Sequence, residues 1–238
     1  MLVEIMKGNY TGRELVFIIL VVTLALTLSF SFHEFMHAAV ASWLGDYTPK
    51  YQGRVTLNPV AHLDPFGTIC IILLGFGWGK PVQYNPNNLR RFKSKRLMNI
   101  MVHLAGVTGN FILALIASIV MTIVTGITGY DFVFSRNGMT FLYVFFYIKE
   151  FSLGLLAFNL LPIPPLDGFH VLEELLPYKA KYSPAWRKFI YYGPNVLFAL
   201  IIIGSLTGVR VLSVLMGLIQ LPFEFIIDLI CMFIGGLF

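Results

Sequence analysis

His33-Glu34-Phe35-Met36-His37 closes an uncharged run from Leu15 to Phe32, and the reading of the chain turns on this stretch. The run is eighteen residues, long enough to enter or cross a bilayer as a helix. Residues four apart on a helix share a face, so the His33 and His37 imidazoles can grip one cation. Glu34 then stands beside an open position of that cation, where its carboxylate can take a proton from water. The spacing predicts a helix to about Trp43, with Gly45 as its C-cap. Ionisable residues are costly to bury in such a segment and mark a functional site.

The rest of the composition fits a membrane chain. Of 238 residues, 57% are hydrophobic and 12% charged, against roughly 25% charged in an average soluble protein. That excludes an ordinary water-soluble core. The length suits one integral membrane domain over 1–238, with a catalytic core of about 15–170 and C-terminal helices over 186–238. Residues 1–14 are mixed in charge. A cleaved signal peptide does not fit, because the apolar run leads straight into the histidines rather than to a small-residue cleavage site. Cys70 and Cys231 lie in apolar stretches without metal-binding spacing and read as small buried hydrophobes.

Moving outward, 46–64 is rich in proline and glycine and cannot be one helix; Val55-Thr56-Leu57 is expected as a short strand. Phe66–Gly79 is apolar but only fourteen residues, with four glycines, and suits a re-entrant hairpin better than a full span. Lys80–Arg96 carries six basic residues and no acidic one. Beside membrane helices this charge reports the cytoplasmic side and gives no case for nucleic acid. Leu97–Tyr130 and Met139–Leu161 are expected spans. Lys149 and Glu150, adjacent and so not facing each other, are expected near the outer interface. Phe189–Val209 is a further span. Val211–Phe223 is short and is followed by Glu224 and Asp228. The fold class is an all-α polytopic membrane protein of five or six spans, with a re-entrant or short β segment between the first two motif helices.

The second motif is Asn159-Leu-Leu-Pro162-Ile-Pro164-Pro165-Leu-Asp167-Gly168. Its prolines end a helix at membrane depth, which is tolerated only inside protein or at a wet cavity. If 66–79 re-enters, the helices over 97–130 and 139–161 go out and return, and Asp167 arrives on the side where His33 and His37 lie. A histidine-glutamate-x-x-histidine helix is the arrangement of zinc metalloproteases, and catalytic zinc takes three protein ligands and one water. Asp167 is the best third ligand by context and His170 its local rival. His62 and His103 are more simply hydrogen-bonded structure.

Five stretches carry a resemblance: His33–His37 with Ala38-Ala39; Gly53–Pro59 running into His62–Gly67; Gly77-Trp-Gly-Lys-Pro81; Leu104-Ala-Gly106 through Asn110; and Asn159–Gly168. On these, the sequence resembles the site-2 protease family of intramembrane zinc metallopeptidases, in its short form without PDZ or CBS domains. It departs at Val107-Thr108, where relatives usually carry proline after the glycine. The resemblance implies one zinc per chain held by His33, His37 and Asp167, with Glu34 as general base. Asn110 and Asn159 would line the site near the substrate backbone or the oxyanion. It further implies a membrane-embedded protein or peptide as substrate, a multi-pass protein of the plasma membrane, and an active site towards the cytoplasm. An unwound substrate could pair with a strand edge at 51–57. The competing reading is a non-proteolytic metal-binding membrane protein, a transporter or scaffold, for which Glu34 would be unnecessary.

Overall fold

The computed structural model describes residues 11–74, 77–208 and 211–238; Glu4, Lys7, Gly75 and Val209 lie outside that range. Helix α1, Gly12–Trp43, opens on a capping box. The Thr11 hydroxyl oxygen accepts the Glu14 amide while Glu14 Oε2 accepts the Thr11 amide, satisfying donors that a helix start leaves free. Its 32 residues reach about 48 Å at 1.5 Å per residue, against a hydrocarbon layer of about 30 Å. The C-cap is Leu44 rather than the expected Gly45, which follows it at φ 111° and turns the chain. His37 stands six residues before Trp43, about 9 Å from the helix end.

After the one-turn helix α2, Thr48–Tyr51, the expected strand at Val55–Leu57 does not form. The backbone there is used in turns: the Arg54 amide donates to the Pro49 carbonyl and the Thr56 amide to the Arg54 carbonyl. A strand needs a partner ladder, and none forms there among the described residues. The only isolated β-bridge among the described residues is antiparallel and joins Leu63 to Gly79. Between these two residues lies α3, Pro65–Leu74, of 10 residues. It spans about 15 Å, and the bridge brings both flanks of the excursion to the same level.

Helices α4, Lys95–Val133, and α5, Arg136–Asn159, form the hairpin that carries the chain out and back. Gly129, at φ 69°, breaks the helical path of α4 near its far end. The hairpin packs on α1 through Ala25, Ala117 and Ile148; small residues at such seams let membrane helices approach closely. The Ser29 and Ser152 hydroxyls meet at 2.9 Å in the buried α1–α5 seam. Lys149 and Glu150 fall in the middle of α5 rather than at its end, and their charged ends approach to 4.0 Å.

Beyond α5 come α6, Asp167–Leu175, the short α7, Tyr178–Lys181, and α8, Pro184–Thr207. Helix α9, Val211–Gly235, does not stop at Phe223 but runs through Glu224 and Asp228. Its stripe of Met216, Ile219, Phe223, Ile227 and Cys231 packs on Val107, Ala114, Leu153 and Leu156 of the hairpin. Among the described residues, α1, α4 to Gly129, α5 and α9 are long and apolar enough to cross a membrane. Helix α8, at 24 residues, is long enough by length. Val16, Leu20 and Leu24 form an exposed stripe at four-residue spacing on α1, as expected where lipid is the solvent. The fold is all-α and membrane-spanning.

Candidate metal centre

His33, Glu34 and His37 are buried on α1, and the α4–α5 hairpin returns the chain so that Asp167 opens α6 beside them. His33 Nε2 lies 3.0 Å from His37 Nε2, and Asp167 Oδ2 lies 3.3 Å from each. Four-coordinate zinc with bonds of about 2.0–2.1 Å would hold its ligand atoms about 3.3–3.4 Å apart. The observed triangle is close to one face of that tetrahedron.

The other ring nitrogens explain why these atoms face inward. His37 Nδ1 lies 2.7 Å from the Val102 carbonyl. A carbonyl only accepts, so Nδ1 carries the proton and the Nε2 lone pair of the neutral ring points at the centre. His33 Nδ1 lies 3.2 Å from Asn110 Nδ2, while the buried Asn110 Oδ1 has no partner among the described residues. The two ends of an amide are assigned from their surroundings. Exchanging them lets His33 Nδ1–H donate to Oδ1, which satisfies both groups. Asp167 Oδ2 is likewise buried without a hydrogen-bond donor among the described residues. Three acceptors converging with no proton between them suit a divalent cation. Zinc suits their two-imidazole, one-carboxylate chemistry.

Gly106 of α4 makes this packing possible: a Cβ there would lie 2.6 Å from His33 Nε2 and also collide with His37 Nε2. Glu34 is outside the triangle. Its Oε2 accepts the Val82 amide at 3.0 Å, and Oε1 has no hydrogen-bond partner among the described residues.

The remaining candidates are sorted by position. Asn110 sits behind His33, as described. Asn159 turns back on its own helix, its Nδ2 donating to the Leu155 carbonyl at 2.9 Å. His170 is one turn past Asp167, its Nδ1 3.8 Å from Glu173, and its ring stacks on His103 with centroids 4.8 Å apart. It does not join the triangle. His62 is fully buried, with Nε2 2.8 Å from the Thr56 carbonyl. His103 Nε2 is hydrogen-bonded to the Tyr84 hydroxyl at 3.0 Å. Burial, followed by the negative charges of Glu174, Asp167 and Asp46, pushes the Tyr84 phenol up to about 12, so it keeps its proton.

Sequence reading missed the Val82 amide and the Tyr84–His103 bond. The period-two alternation of exposed Pro81, Gln83 and Asn85 with half-buried Val82 and Tyr84 is a weak strand signal that could have pointed to both.

The profile of peptidase family M50 matches residues 21–204. The Bacillus subtilis (strain 168) protein named "Putative zinc metalloprotease YwhC" is 46% identical over 155 residues, covering 65% of this chain and 68% of that one. "Putative zinc metalloprotease Rip2" of Mycolicibacterium smegmatis is 29% identical over 154 residues, covering 63% of this chain and 54% of that one. No solved structure matches.

Proposed function

Because this chain belongs to peptidase family M50 and is a zinc metalloprotease of the site-2 type, we propose that it cleaves membrane-embedded segments of other proteins, with Glu34 as general base. The observation that carries the reading is the triangle of His33 Nε2, His37 Nε2 and Asp167 Oδ2 inside a helical bundle. The chain is an integral membrane protein, so a substrate that reaches this depth is itself a membrane segment.

His33, His37 and Asp167 would hold the zinc. Bound there, zinc acidifies a water and polarises a carbonyl. Glu34 is adjacent in sequence to a ligand but not part of the set, as a base requires. Its free Oε1 takes the proton of the attacking water and later gives it to the leaving amine. A helical substrate hides its amides in i→i−4 bonds and must unwind before this sequence begins. Burial of the triangle keeps bulk water away until then. The basic run 80–96 supports an active site on the cytoplasmic side of a plasma-membrane protein. A purely metal-holding role would not need Glu34.

The test compares the parent protein with Glu34→Gln in detergent, measuring zinc content and cleavage of a transmembrane test substrate. Both are expected to bind one zinc, and only the parent to cleave. Equal cleavage by Glu34→Gln would overturn the mechanism. Loss of zinc from the parent after mild chelation without loss of cleavage would overturn the metal reading.

A further inference from the structure

We propose that the main-chain N–H of Val82 is a further positioning group for this reaction. It fixes the Glu34 carboxylate so that one oxygen faces the metal site. The inference rests on the reading of Glu34 as the base.

Glu34 has three rotatable side-chain bonds and, at the end of them, two equivalent oxygens. A base that must meet one water in one orientation gains from a donor holding the oxygen it does not use. Val82 supplies that donor: its amide reaches Glu34 Oε2 at 3.0 Å from 48 residues away in sequence. A hydrogen bond to an ionised carboxylate is roughly twice as strong as a neutral one, and a single one leaves Oε1 available.

The donor is itself held on both sides. Just before it, Gly79 bridges Leu63, and the Lys80 amide donates to the His62 carbonyl at 2.8 Å. Just after it, the Tyr84 hydroxyl is hydrogen-bonded to His103 of α4, and the Asn85 amide donates to the buried Asp46 carboxylate beyond the end of α1. Pro81 fixes its own φ and biases Lys80 towards extended backbone, presetting the path that aims the next amide at Glu34. Four attachments to three parts of the fold within seven residues make this amide a fixed reference point, suited to orienting a side chain.

The experiment uses the full chain, zinc-loaded in detergent, with the transmembrane test substrate. Val82→Pro removes the amide, and Gln83→Pro, one residue on, removes an amide with no partner among the described residues. Val82→Pro is expected to keep one zinc and a KM near the parent's while kcat falls about 10–100-fold, the cost of misplacing a reacting group by about 1 Å. Gln83→Pro is expected to keep the parent's kcat. Hydrogen exchange at the Val82 amide decides the matter even if Val82→Pro misfolds. Exchange should be slow in the parent and in Glu34→Gln, whose side-chain carbonyl still accepts, and at least about tenfold faster in Glu34→Ala, following the stability of the lost bond. A zinc-loaded Val82→Pro with parental kcat, or unchanged Val82 exchange in Glu34→Ala, overturns the inference. Glu34→Gln cleaving like the parent instead overturns the general-base reading beneath it.

Discussion

Gly106→Ala should produce a folded protein that cannot hold its zinc. An added Cβ would sit 2.5 Å from His33 Cε1 and 2.6 Å from His33 Nε2, where ordinary contact begins at 3.4 Å. His37 Nε2 would be closer still, so helix α4 or the imidazoles must retreat by about 1 Å, several times the tolerance of about 0.2 Å for metal–ligand distances. The global cost is smaller than the local one. Overpacking costs about 1–3 kcal/mol, while alanine in place of glycine within a helix returns up to about 1 kcal/mol. Helicity by circular dichroism should be parental, and zinc affinity by competition with a chelator should fall by at least about 100-fold, as expected when ligands leave their geometry. Gly109→Ala is the comparison: its Cβ would meet Cγ of Met36, a flexible side chain that can move aside. That variant should keep its zinc. A Gly106→Ala protein with one tightly bound zinc would refute the close-packing argument.

Two further outcomes follow from neighbouring contacts. Asn110→Ala removes the partner of His33 Nδ1 and should weaken zinc binding about 10–100-fold, while Asn110→Asp, whose carboxylate still accepts that proton, should restore it; parental affinity in Asn110→Ala would count against the assigned amide orientation. Asp46 is buried, which raises its pKa, but the opposing hydrogen bonds from Thr48, Asn88 and Asn85 prevail and hold it below the usual carboxylate range. Its stabilising contribution is therefore complete above the ordinary value of about 4 and is lost as pH falls through the lowered folded-state value. Asp46→Asn should cost about 2 kcal/mol at neutral pH by exchanging a charged acceptor for an amide, and its melting temperature should fall less than the parent's on acidification below about pH 4; parallel losses in the two proteins would refute the assignment.

What could be read from the sequence follows from which physics was local. The His33–His37 face depends only on helix geometry, and the break before Asp167 only on proline, so both were legible. The fate of Val55–Leu57 depends on whether a partner strand is present, and its residues cannot announce that. Helix α9 was hard for a different reason. Its packed stripe, Met216 to Cys231, has ordinary helical spacing, but Leu215, Leu218 and Leu229 on exposed positions are apolar as well. In lipid both faces of a helix look alike, so periodicity cannot separate core from solvent, and the charges at 224 and 228 leave the length of the last span open in the sequence.

The same reasoning separates the two amides that touch the site. Asn110 lies in an apolar helix where an unpartnered amide is costly, so its presence alone signals a buried acceptor to be satisfied. The Val82 amide carries no such signal, since every residue except proline has one. Its role arises only when Gly79, Tyr84 and Asn85 are tied down around it. The side chains that would hold the metal are therefore visible as unusual residues in an apolar chain. The backbone that orients the base becomes visible only when the fold supplies its neighbours.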